Sequence, residues 1–161
     1  MKRIVIIGCA LVLAACQQPE APDNSAADKA VVQGMYAAFA TGDVEAVLGA
    51  MAEDIVWNEA ENFPYADGNP YVGPQAVLEG VFARIGADWE YFELDLQDSL
   101  QDGNRIAFFG RYNAKHRESG KTMSAQFVHV WKVVDGKAVS FQQYADTAQA
   151  IATTQSDATE E

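Results

Sequence analysis

From Glu90 onward the chain can be cut into four extended segments separated by short turns, and this pattern limits the fold more than any other feature. Glu90 to Gln97 alternates, with Tyr91, Glu93, Asp95 and Gln97 on one side and Phe92, Leu94 and Leu96 on the other. Asp102-Gly103, Ser119-Gly120 and Asp135-Gly136 then separate Arg105 to His116, Thr122 to Val134 and Lys137 to Tyr144. Strands joined by connections this short pair as antiparallel neighbours, because a parallel return needs a crossover of a dozen or more residues.

The preceding half reads differently. Val31, Val32, Met35 and Phe39 recur at helical spacing, and Gly42 stops that helix. Asp43 caps a second helix carrying Val44, Val47, Leu48 and Met51. Ile55 to Trp57 reads as a short strand, residues 58–73 as a loop rich in Pro, Gly and Asn, and Pro74 opens a third helix through Ile85. Helix, helix, strand, helix and then four strands predict an α+β domain with three helices packed on one curved antiparallel sheet.

The 161 residues, 49% of them hydrophobic, supply one core rather than several. With 11 Lys+Arg against 23 Asp+Glu and a formal charge of -12, the chain repels phosphate backbones and anionic lipid headgroups. Nucleic acid is excluded as an expected partner.

Met1-Lys2-Arg3 followed by the apolar stretch Ile4 to Ala15 has the pattern of a secretory signal. Its ending, Leu13-Ala14-Ala15-Cys16, resembles the lipobox of bacterial lipoproteins. That resemblance implies a signal peptide over 1–15, a lipidated Cys16 as membrane anchor and, with Gln17 next, sorting to the periplasmic face of the outer membrane. Residues 16–27 read as a flexible tether, 28–150 as the folded domain and 151–161 as a disordered acidic tail.

The element order, with Gly42-Asp43 between the first helices, Glu53-Asp54-Ile55-Val56-Trp57 entering the first strand and Gln143-Tyr144-Ala145-Asp146-Thr147-Ala148 after the last hairpin, resembles the SnoaL-like, ketosteroid-isomerase-related branch of the nuclear transport factor 2-like superfamily. The resemblance implies a cone-shaped sheet, a cystatin-like roll, closed at its mouth by helices around an apolar pocket for a small hydrophobic molecule. It also implies cofactor-free proton transfer of isomerase, cyclase or hydratase type, with non-catalytic ligand binding or protein interaction as the alternative.

Strand parity puts Ile55, Trp57 and Glu59 on one face. Glu59 is then either a proton shuttle beside an aromatic wall or one of a solvated pair with Glu61. Aligned with ketosteroid isomerases, Glu59 falls where that family carries its general base, and His129 where a protonated Asp forms half of the oxyanion hole. His129 lies between Phe127 and Trp131 on an apolar strand, as a carbonyl-polarising donor or as a core histidine satisfied by neighbours.

By family register Tyr112, Phe127, Phe141 and Gln143 point inward, and Trp57 shapes the wall. Gln143 stands where certain cyclases carry a catalytic acid, with Asp146 three residues on. The first-helix tyrosine of the isomerases aligns with Met35, and Tyr36 beside it is rotated by about 100°, so ketosteroid isomerisation itself is not expected. Tyr36 is retained as a ligand-binding candidate, and Tyr65 and Tyr71 as phenols bordering the mouth.

His116 reads as a solvated turn residue. The two histidines lack close acidic or thiol companions, so no metal site and no cofactor are expected. The run Trp89-Glu90-Tyr91-Phe92 is either an edge for a homodimer through the sheet or core packing.

Overall fold

The computed structural model describes residues 24–156. The signal expected over 1–15, the lipidation site expected at Cys16, the expected tether up to residue 23 and residues 157–161 lie outside the described residues, whereas residues 25–27, also expected to be tether, are helical.

Two helices lead. α1 (Ser25–Ala40) buries Val32 and Met35 and ends at Thr41, after which Gly42 takes φ 74°, a left-handed turn that suits glycine. α2 (Val44–Gly49) is capped by Asp43, whose side chain accepts the Ala46 N–H at 3.0 Å. β1 (Met51–Asn58) begins where the sequence pattern still read as helix, because Met51 already pairs with Ala138.

Within the predicted loop a two-residue strand, β2 (Tyr71–Val72), pairs with Val56 and Trp57. The third helix is α3 (Pro74–Val77) and α4 (Ala83–Asp88), joined by a π-helical turn (Leu78–Phe82) rather than running uninterrupted. That wider turn includes Val81 and Phe82, both on the cavity wall described below.

β3 (Trp89–Asp102), β4 (Arg105–His116), β5 (Thr122–Val134) and β6 (Lys137–Ala145) form the predicted antiparallel series. The six-stranded sheet has the order β2-β1-β6-β5-β4-β3, curved and unclosed. One pairing departs from the all-antiparallel expectation, since β1 runs parallel to β6. The segment between β1 and β6 holds α3, α4 and the four strands β2 to β5, ample length for that return.

A further helix, α5 (Thr147–Thr154), was not expected. Asp146 caps it by accepting the Gln149 N–H at 3.1 Å, and it buries Ala150 and Thr153. Helical structure therefore continues past residue 150, into the segment 151–161 expected to be a disordered tail. His116 is buried rather than solvated: its ring accepts the Ser119 N–H at 3.2 Å, packs on Trp89, and the Ser119 hydroxyl donates to the Thr153 carbonyl at 2.6 Å. These contacts tie the β4–β5 turn to α5.

The aromatic run divides. Trp89 is buried, Phe92 half-buried and Tyr91 exposed on the edge strand β3.

Two apolar clusters make up the core. One joins α1, α2 and α3 to β1, β5 and β6 through residues such as Val32, Ile55, Val77, Trp131 and Phe141. The other gathers Phe63, Tyr65, Trp89, Tyr112 and Phe127.

Gly110, opposite Phe127 in the ladder, has a local job in the second cluster. A Cβ there would lie 2.4 Å from the Asp95 carbonyl oxygen and 2.6 Å from the Phe127 ring. Only a bare backbone lets that ring cross the strand. Gly110→Ala is expected to lower unfolding free energy by about 3 kcal/mol, the upper part of the overpacking range, because one obstacle is main chain and cannot rotate away. Urea unfolding of the variant beside wild type measures this.

Candidate functional site

Register assembles the site. His129 on β5 is directly opposite Gln143 on β6 and Phe108 on β4, and the next inward row is Ile106, Trp131, Phe141, Trp57 and Tyr71 across five strands. Trp57 stacks on Phe141 with ring centroids 3.8 Å apart, and Trp131 tilts against the same ring at 4.6 Å. Phe127 stacks on His129 at 4.1 Å and on Tyr112 at 4.4 Å.

At the seam of the two clusters lies a narrow cavity, about 50 Å³ counted as space for the centre of a water-sized sphere. Tyr36, Trp57, Glu59, Tyr112, His129, Phe141 and Gln143 all contribute to its wall. Phe127, expected to point inward with them, does so but lies behind the wall, as the stacking partner of His129 and Tyr112. Met35, Phe63, Phe82 and Trp131 line the cavity as well and had not been singled out for it.

Glu59 is 3% exposed and not part of a solvated acid pair. The Trp57 indole N–H donates to its Oε1 at 2.6 Å. Its backbone is clamped by the Asn69 carboxamide, which accepts the Glu59 N–H at 2.9 Å and donates to the Glu59 carbonyl at 2.8 Å. Burial raises the Glu59 carboxyl to about 7, with the Trp57 and Gln143 hydrogen bonds pulling the other way.

His129 holds a hydrogen bond at each ring nitrogen. The Tyr36 hydroxyl is 2.9 Å from Nδ1, and the Tyr112 hydroxyl makes a short contact with Nε2. The imidazole thus meets phenols on both sides and offers no unoccupied N–H of its own to a ligand. Burial lowers its pKa to about 3, so the ring is neutral at physiological pH.

The chain continues outward from both phenols. The Trp131 indole N–H donates to the Tyr36 oxygen at 2.9 Å, and the Gln143 amide donates to the Tyr112 oxygen at 2.8 Å. Gln143 is oriented by the Ala60 N–H, which donates to its Oε1 at 3.0 Å. The Tyr112 phenol sits far above its ordinary pKa, chiefly through burial and then through the charge of Glu59.

Three further candidates, Tyr65, Tyr71 and Asp146, fall elsewhere. Tyr65 donates to Asp88 at 2.9 Å and accepts from the Trp89 indole at 2.7 Å, Tyr71 bonds within its own loop to the Tyr65 carbonyl at 2.7 Å, and Asp146 caps α5. Among the described residues no group of three or more His, Cys, Asp or Glu side chains could hold a metal ion, and no helix is long and apolar enough to cross a membrane.

Residues 32–141 match the SnoaL-like domain family. The chain belongs to that family. An NTF2-like protein of Burkholderia thailandensis superposes with a TM-score of 0.75 at 30% identity, over 80% of this chain and 97% of that one. TerC, co-crystallised with polyporic acid, gives 0.73 at 25% identity, over 81% and 99%. Patulin synthesis protein F of Aspergillus clavatus is 28% identical over 96 residues, 59% of this chain and 48% of the fungal protein, so the match spans about half the length of that relative.

The two buried titrating groups oppose each other in their effect on stability. Glu59 is raised from 4.5 to about 7, so the folded state binds its proton more tightly and stability falls as pH rises through that window. His129 is lowered from 6.5 to about 3, so its contribution is present above 6.5 and is lost as pH falls toward 3. Between 4.5 and 6.5 the two slopes cancel. Glu59→Gln is expected to be more stable than wild type above pH 8, by up to about 3 kcal/mol, and to lose that advantage near pH 4. Thermal melts across pH 4 to 9 read both the size and the sign.

Proposed function

We propose that this SnoaL-like domain binds a small, largely apolar molecule in its cavity and catalyses cofactor-free proton transfer on it, with Glu59 as the base. The observation that carries this reading is a carboxyl buried in an aromatic wall, poised near neutrality and facing the same cavity as a neutral imidazole and two phenols. A base of this kind is about half ionised at neutral pH and strips a proton next to a carbonyl without a large mismatch in acidity.

Tyr36 and Tyr112 flank His129, whose part in the reaction is to hold and connect these phenols. Trp57, Phe141 and Phe127 build and back the wall, and Gln143 links Tyr112 to the backbone at Ala60. A ligand of TerC and the fungal relative's part in patulin synthesis are consistent with small-molecule chemistry for this site.

Purely non-catalytic binding is the second reading, favoured by the way the polar side chains already satisfy one another. Exchange of the α-hydrogens of cyclohexanone for deuterium in heavy water separates the two. The catalytic reading expects exchange above the buffer rate that rises with pH through about 7 and drops by a factor of about 100 or more in Glu59→Gln. Exchange no faster than buffer leaves the domain a receptor.

The N-terminal pattern supports export and anchoring at the cell envelope through Cys16, with the domain held on the periplasmic face of the outer membrane. Labelling cells with a radioactive fatty acid is expected to mark the wild-type protein, with the label lost in Cys16→Ser.

A further inference from the structure

A buried chain of hydrogen bonds links α1 to the sheet. The chain runs from Trp131 to Tyr36, His129, Tyr112 and Gln143 and contains four contacts. Each contact uses one hydrogen. The indole, the two phenols, the neutral imidazole and the amide hydrogen aimed at Tyr112 supply five, so one is left over.

The two end donors fix where it can be. Trp131 can only donate to Tyr36, and Gln143, oriented by Ala60, donates to Tyr112. If His129 carries its hydrogen on Nε2, it donates to Tyr112, Tyr36 donates to Nδ1, and the Tyr112 hydrogen is unused. If the hydrogen is on Nδ1, the imidazole donates to Tyr36, Tyr112 donates to Nε2, and the Tyr36 hydrogen is unused.

The two phenols face different places. Tyr112 is fully enclosed beside Glu59. Tyr36 is half-buried and lines both the inner cavity and an open groove between α1 and β3, together with Phe39, Phe92 and Leu94.

We propose that Tyr36, His129 and Tyr112 form a proton relay from the α1–β3 groove to the cavity, and that its surplus phenolic hydrogen selects an apolar ligand bearing a carbonyl or similar oxygen acceptor. In one passage Tyr112 gives its hydrogen to the ligand oxygen and receives the one on Nε2. Nδ1 receives the hydrogen of Tyr36, and Tyr36 recovers one from water in the groove. Each of the three side chains ends with as many hydrogens as it began with; the ligand oxygen has gained one, the groove water is left as hydroxide, and the tautomer of His129 has changed. Tyr112 is the donor that touches the ligand, while His129 acts through it. Before product leaves, its oxygen returns the hydrogen to Tyr112, which passes its own to Nε2; Nδ1 passes its hydrogen to Tyr36, which gives one to the groove hydroxide, and the ring is reset.

This rests on the proposed binding of a small apolar molecule, and the test separates the two. Full-length protein labelled with ¹⁵N at its two histidines is titrated with cyclohexanone and with methylenecyclohexane, which has the same shape without the acceptor. The ketone is expected to bind at least tenfold more tightly, with His129 as the Nε2–H tautomer in its complex. Tyr112→Phe is expected to hold the ring as Nδ1–H and Tyr36→Phe as Nε2–H.

Equal affinity for the two probes, or an Nδ1–H or imidazolium ring in the ketone complex, overturns the relay and leaves the binding reading intact. Failure of both probes to bind overturns the binding reading and the relay with it. The wild-type titration decides by itself if either variant does not fold.

Discussion

A neutral imidazole enclosed by aromatic rings must find one acceptor and one donor, since an unpaired polar atom in such a place costs about 1–3 kcal/mol. The surroundings of His129 meet that demand from two directions: α1 brings Tyr36 to one nitrogen and β4 brings Tyr112 to the other. Helix and sheet are held at a distance set by a hydrogen-bonded bridge as well as by apolar packing. The cavity survives at that spacing because the bridge occupies the seam between the two core clusters and neither cluster closes over it.

The bridge depends on features that lie away from it. The bare backbone at Gly110 lets Phe127 lie across β4 and press on both His129 and Tyr112. Asn69 grips the main chain of Glu59 on both sides, so the carboxylate is aimed by a loop held like one more strand. The π-helical turn between α3 and α4 includes Val81 and Phe82, two of the side chains that cover the cavity.

Much of this was visible in one dimension. Two-residue alternation located His129 among Phe127 and Trp131 and placed Glu59 on the face of Trp57, and the glycine turns defined the hairpins. Family register brought Tyr112, Phe141 and Gln143 inward, as observed. What stayed hidden depends on distance along the chain. Nothing local marks Asn69 as the partner of Glu59, ten residues earlier, or the Trp131 indole as the donor to Tyr36, 95 residues away. Parity puts Phe127 on the inward face, as observed, but does not say that its ring backs His129 and Tyr112 rather than reaching the cavity. The parallel pairing of β1 with β6 and the helix α5 were missed for a related reason: each is stabilised by remote contacts, and the α5 segment is short and rich in Ala and Thr.

An unclosed sheet has two outer strands whose free amides and carbonyls could recruit a passing chain. β2 is only two residues long and presents little to copy. β3 is 14 residues long, yet it carries Glu90, Glu93, Asp95, Asp98 and Asp102 with no basic residue, and its ladder is offset between Leu96 and Asp98. Two such borders laid side by side would stack like charges along a kinked seam, so the acidic excess helps keep crowded copies from fusing into aggregates.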